Sequence, residues 1–252
     1  MKILLRISYL GTNYCGYQIQ KNQRTVQAAL CEAAEEVFGV RCDITGCSRT
    51  DSGVHALDFC ATVTEHGKCG IETTIPIDKI PLVFATVLPP DISVTSAEWV
   101  SEEFHPRYDV KYKEYVYKIY NAPTPDPFLA DRSWHYPRRI SDKALLDMNV
   151  AAHGFVGTYD FASYMASGSD IKDTTRTVLD AEVTREGDVI TFRVSANGFL
   201  YNMVRILVGT LIAVAEGRIS PEDIIRITEA RDRSLAGNTA PAKGLYLNRV
   251  VY

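Results

Sequence analysis

The sequence is poor in several features that would point to a function directly. It has no long apolar run at the N-terminus, where only Ile3-Leu4-Leu5 separate Lys2 from Arg6. A membrane helix needs about 20 apolar residues, and three are also too few for a secretory leader. The expectation is a cytoplasmic chain with no membrane partner. Cysteine is missing beyond Cys69, and the six present, at 15, 31, 42, 47, 60 and 69, form no Cys-x-x-Cys pair. Free thiols are expected. Cys42, Cys47, His55 and Cys60 match no common zinc spacing, so no metal site is expected. No glycine-rich phosphate loop is present, and no cofactor is expected. Nor is there a large excess of one charge: 27 Lys and Arg stand against 31 Asp and Glu, a net charge of -4. That argues against coating nucleic acid non-specifically. It leaves room for a local basic cleft, because the field of a patch steers a ligand.

What is there reads as an ordinary globular protein of 252 residues, 46% hydrophobic and 23% charged, enough for one large or two small domains. KILLRISYL, residues 2 to 10, predicts a buried strand. Thr25 is an N-cap for a helix over VQAALCEAAEEVFG, with Gly39 just past its end. RCDITGC and VHALDFCATVTE predict two strands. A helix over Asp78 to Val87 tolerates Pro81 only in its first turn. ISVTSAEWV and residues 104 to 120 predict strands, the second long and rich in tyrosine. Ser141 caps a further helix. Glu186-Gly187-Asp188 joins two strands as a hairpin. FLYNMVRILVGTLIAVAEG predicts an apolar helix, Ser220-Pro221 starts another, and GLYLNRVVY closes as a strand. The alternation predicts an α+β protein of two related mixed α/β halves, residues 1–104 and 105–252.

The loop Gly46-Cys47-Ser48-Arg49-Thr50-Asp51-Ser52-Gly53-Val54-His55-Ala56 lies between two predicted strands. Asp-Ser-Gly is turn chemistry. A carboxylate held there beside a cation is equally a nucleophile or a base. Arg205 sits in an otherwise apolar run. It either snorkels to the surface or pairs with a buried carboxylate, for which Asp51 is the attractive partner. Tyr108, Tyr112, Tyr115, Tyr117 and Tyr120 interleave with Lys111, Lys113 and Lys118. Most of these pack, but one tyrosine near the loop can stack on a base drawn out of its helix. His105, beside Arg107, is the best functional histidine.

These stretches together resemble the tRNA pseudouridine synthase A (TruA) family, over nearly the whole chain. Tyr9-Leu10-Gly11-Thr12-Asn13-Tyr14-Cys15-Gly16-Tyr17-Gln18-Ile19-Gln20 is similar to the family's opening, and Ser48 to Ala56 to its GRTDAGVHA. Phe104-His105-Pro106-Arg107 with Tyr115-Val116-Tyr117 is similar to FHAR and YRY. Asp160 to Ser163, Phe199 to Arg205 and Ala240 to Leu247 follow in the family's order. Four positions depart: Tyr17 where Trp is usual, Ser48 for Gly, Ser52 for Ala and Pro106 for Ala. The resemblance implies a pseudouridine-synthase-like fold with antiparallel-rich sheets meeting at a central cleft. It implies Asp51 as catalytic aspartate, Tyr115 over the target base, Arg205 as partner of Asp51, and Arg49 in flipping the nucleotide. Thr50, His55, His105, Arg107 and Leu245 lie in or beside the matched motifs as RNA-contacting positions. It further implies a homodimer acting on the anticodon arm of tRNA. Two other readings keep the fold and change the function: a synthase acting on another RNA, and an RNA-binding relative without activity. A third, a hydrolase using Asp51 with His55, wants a second carboxylate that the sequence does not offer.

Overall fold

The computed structural model describes residues 1–168 and 171–252. It contains two compact units, Met1–Lys111 with Tyr246–Tyr252, and Tyr112–Leu245. A division at 104/105 puts the last strand in the second half; in the structure its hydrogen bonds to the His55 strand count it with the first.

In the first unit β1 (Lys2–Tyr9) pairs antiparallel with β3 (His55–Glu65) and β4 (Ile92–Val100). β2 (Cys42–Gly46) pairs antiparallel with β3. β10 (Leu245–Val251) runs parallel to β3, Tyr246 opposite His55. The period of two in β1 sets Ile3, Leu5, Ile7 and Tyr9 on one face, opposite Val63, Ala61, Phe59 and Ala56. All are buried. α1 (Val26–Phe38) starts where Thr25 Oγ1 accepts the Ala28 N–H and ends at Gly39. α2 (Ile80–Val87) carries Pro81 in its first turn, where no N–H is missed, and buries Ile80 and Phe84.

In the second unit the strand order is β5 (Tyr112–Tyr120), β9 (Val189–Ala196), β8 (Thr175–Glu186), β7 (Gly157–Asp160), with the two-residue β6 (Trp134–His135) parallel to β5. α3 (Asp142–His153) contacts β8 and α4 (Met203–Ala215). Ser141 caps α3 by accepting the Ala144 N–H.

Three expectations change. Residues 104–109 form a turn, and the tyrosine strand begins at Tyr112. Pro106 has no N–H for a ladder, and the Asp109 carboxylate accepts the His105 N–H at 2.8 Å. α4 begins at Met203 rather than at Phe199, because Asn202 takes φ 59°. α5 (Asp223–Ala230) begins after Pro221, with Glu222 rather than Ser220 at the N-cap position and no side-chain hydrogen bond capping it.

Burial sets the response to alkali. It pushes the Tyr164 phenol up to about 12 from 10.0, and the Cys60 thiol up to about 12 from 9.0. Both are neutral in the fold and ionise more readily once unfolded. Their stabilisation is therefore complete below about pH 9 and is lost as pH rises towards 12, on the order of 1 to 3 kcal/mol for each group by pH 11. Thermal melts from pH 8 to 11 should show Tm falling from about pH 9; a flat Tm contradicts this.

Candidate active site

The Asp51 loop leaves β2 after the Cys47 N–H donates to the Cys60 carbonyl at 2.8 Å. It returns at His55, and the opening loop of the chain serves as its mould. The Tyr17 N–H donates to Thr50 O at 3.1 Å. The Thr50 hydroxyl, buried, lies 2.8 Å from the Tyr9 phenol oxygen. Beyond Asp51, the Ser52 hydroxyl and the Gly53 N–H both donate to Tyr14 O, at 3.2 and 3.4 Å. The Val54 N–H donates to Asp51 O at 3.1 Å and closes the turn. Gly16 makes the close approach possible: its φ is +88°, and a Cβ there would lie 2.6 Å from Thr50 O. Asp51 itself is half-buried and Arg49 is exposed.

His55 is 0% exposed. Its Nδ1 accepts the Gly11 N–H at 3.0 Å, which assigns the ring proton to Nε2, and its ring lies 4.7 Å from that of Tyr246. It ties the mould to the sheet. Thr50 likewise spends its hydroxyl inside the protein. His105 and Arg107 share the 104–109 turn, where the Arg107 N–H donates to His105 Nδ1 at 3.1 Å. Tyr108 in that turn is 73% exposed, with the His105 ring 4.2 Å away and the Arg107 guanidinium carbon 5.8 Å from its centre.

In the second unit Tyr115 is buried on β5 opposite Val194, its ring edge-to-face with Phe199 at 4.9 Å. Tyr117, on the same sheet face, donates its hydroxyl to Pro241 O at 2.7 Å. Arg205 is anchored in the first turn of α4. Its Nε donates to Ala240 O at 2.7 Å, its Nη1 to Asn202 Oδ1 at 2.6 Å, and the Ala240 N–H donates back to Arg205 O at 3.0 Å. The guanidinium plane is thus fixed by two neutral oxygens. Asn202 reaches it from a left-handed conformation, which non-glycine residues adopt seldom and often at functional sites. Leu245 is buried at the start of β10.

Sequence reasoning gave no role to Asn202, to the Ala240 carbonyl or to Tyr14. Asn202 had a signal, an asparagine at the head of an apolar helix three residues before its arginine. The carbonyls had none, because a backbone acceptor is the same in every residue. Among the described residues no group of three or more His, Cys, Asp or Glu side chains is placed to hold a metal ion.

Tyr17 is a departure with a physical consequence. Its ring stacks on Phe59 at 4.4 Å, but its hydroxyl is buried with no hydrogen-bond partner. A buried orphan hydroxyl destabilises by about 1 to 3 kcal/mol. Tyr17→Phe should therefore raise stability by about 1 kcal/mol in urea unfolding and leave activity unchanged. A loss of stability contradicts this reading.

The fold is of the mixed α+β class. The comparisons are more specific. Residues 6–109 and 151–252 match the family model described as tRNA pseudouridine synthase. The tRNA pseudouridine synthase A of Caldicellulosiruptor saccharolyticus is 42% identical over 250 residues, covering 99% of each chain. That of Ruminiclostridium cellulolyticum is 43% identical over 252 residues, covering 100% of this chain and 99% of the relative. This chain belongs to the tRNA pseudouridine synthase family. A solved Cbf5-Nop10-Gar1 complex is a more distant likeness, with TM-score 0.38 and 16% identity over 83% of this chain and 44% of that one.

Proposed function

We propose that this protein isomerises uridine to pseudouridine in tRNA, on the 3′ side of the anticodon stem-loop, with Asp51 as the catalytic carboxylate. The observation that carries the reading is the clamped Asp51 loop in a chain about 42% identical, end to end, to tRNA pseudouridine synthase A relatives. The reaction breaks the N1–C1′ bond and forms C5–C1′. A proton leaves C5 and one is taken up at N1, so no group donor is required. Asp51 is the nucleophile acting on the flipped-out nucleotide. Tyr115 covers the target base and keeps water away from it while it turns. Arg205 serves as the partner of Asp51 in this reading, and Arg49, exposed on the Asp51 loop, fills the place of the flipped nucleotide.

His105, Arg107 and Leu245 stand as further RNA-contacting residues. The burial of His55 and Thr50 favours a supporting role within the loop. The protein acts as a cytoplasmic homodimer in this reading, each tRNA touching both subunits; sedimentation at micromolar concentration tests the dimer. No helix among the described residues is long and apolar enough to cross a membrane.

The test is pseudouridine mapping on unmodified tRNA transcripts. Modification on the 3′ side of the anticodon arm is expected. Modification confined to other parts of the tRNA contradicts the position, and none at all contradicts the activity. Binding should weaken steeply between 50 and 200 mM salt, because released counterions drive association with phosphates. A salt-independent Kd contradicts a phosphate-contacting interface.

A further inference from the structure

Asp51 is flanked by residues held from outside the loop. Ser52 and Gly53, which follow it, both donate to one acceptor, the Tyr14 carbonyl. What fixes Tyr14 is therefore relevant to where the carboxylate points. Tyr14 is 2% exposed. Its hydroxyl donates to Asp91 Oδ1 at 2.5 Å. Arg24 lies over its ring, the guanidinium carbon 4.7 Å from the centre, and donates through Nη2 to the phenol oxygen at 3.2 Å. Asp91 holds the rest of the same turn. Its Oδ2 accepts from Asn13 Nδ2 at 3.2 Å, and its backbone carbonyl accepts the Leu10 N–H at 2.9 Å. Asp91 is not in any stretch that carries the family resemblance, and it stands 40 residues from Asp51 in the sequence.

We infer that Tyr14 and Asp91 are positioning residues for Asp51, acting as a clamp whose output is the Tyr14 carbonyl. The inference rests on the reading of Asp51 as the catalytic carboxylate. Asp91 fixes the phenol, the buried ring fixes the backbone of Tyr14, and that backbone sets the 52–53 turn. Ser52 adds a donor that the alanine usual at this position lacks. A carboxylate displaced by about 1 Å from its reacting atom loses about a hundredfold in rate, so a clamp that sharpens its position acts on kcat. Substrate binding relies on phosphate contacts elsewhere and is left alone.

The experiment measures kcat, KM and tRNA Kd for Tyr14→Phe, Asp91→Ala, Asp91→Asn and the double variant Tyr14→Phe/Asp91→Ala. Asp51→Ala and Ser141→Ala serve as references. Ser141→Ala removes only the α3 N-cap hydrogen bond, a loss of stability remote from the loop. Tyr14→Phe and Asp91→Ala should each lower kcat about tenfold, with KM and Kd within twofold. The double variant should be no worse than the worse single. Asp91→Asn keeps an acceptor for the phenol and should recover part of the loss, while Ser141→Ala keeps full kcat. Wild-type kcat in Tyr14→Phe and Asp91→Ala, with Asp51→Ala inactive, overturns the clamp alone. So does a kcat loss matched by Ser141→Ala at equal Tm. An active Asp51→Ala overturns the underlying reading and the clamp with it.

Discussion

Asp51→Ala is expected to reduce pseudouridine formation by about 10⁴-fold or more, the scale of removing a group that acts on the reacting atoms. The affinity for tRNA should stay within a few-fold. The separation follows from the loop's construction. Thr50 is held by Tyr17 and Tyr9, and residues 52 and 53 by Tyr14, through contacts that do not use the Asp51 side chain. Replacing that side chain therefore leaves the backbone of the loop held by the same contacts. Asp51→Asn keeps the shape and removes the charge, and should be as inactive as Asp51→Ala. Single-turnover kinetics on a saturating enzyme separate the chemistry from binding. An Asp51→Asn enzyme with more than about a tenth of wild-type rate contradicts a role for the charge.

The largest expected effect on stability lies in the second unit. In Gly209→Ala the new Cβ would lie 1.6 Å from the Asn238 carbonyl oxygen. The obstacle is backbone, which cannot rotate aside. Either α4 or the 237–241 segment must move, at a cost of about 3 kcal/mol or more. Thr210 Oγ1, which accepts the Gly237 N–H at 2.9 Å, ties the same segment to α4. Three residues on, the Ala240 carbonyl accepts from Arg205. The substitution should therefore lower the unfolding midpoint and also reduce activity, because Arg205 loses its anchor. Urea unfolding and initial rates on one preparation check both. Wild-type stability would show that the helix and the segment yield easily.

Much of the framework follows from local chemistry. Thr25 and Gly39 bracket α1, Pro81 falls in the first turn of α2, and Glu186-Gly187-Asp188 turns β8 into β9. The Asp51 loop is legible as a strand-to-strand connection because the residues on both sides alternate. The 104–111 stretch is not, because its Phe104, Tyr108 and Val110 resemble a strand, while the Asp109 carboxylate that turns it acts through a single hydrogen bond to a backbone N–H. The mould under Asp51 is equally hidden. It joins residues 9–17 to 50–55 through backbone groups, one unsubstituted Cα and the side chains of Tyr9, Thr50, Ser52 and His55, and sequence periodicity carries no record of such contacts. The anchoring of Arg205 by Ala240 crosses 35 residues through a carbonyl that any residue would supply.

A tRNA pseudouridine synthase exchanges a glycosidic nitrogen for a carbon in tRNA uridine. The most direct measurement uses a tRNA transcript tritiated at uridine C5. Forming C5–C1′ expels the C5 hydrogen, so turnover releases tritium to water while the mass of unlabelled tRNA stays unchanged. Release that rises to a whole-number stoichiometry per tRNA, at constant mass and abolished by Asp51→Ala, is the predicted result. A protein that binds the tRNA yet releases no tritium contradicts the account and leaves an RNA-binding relative without activity.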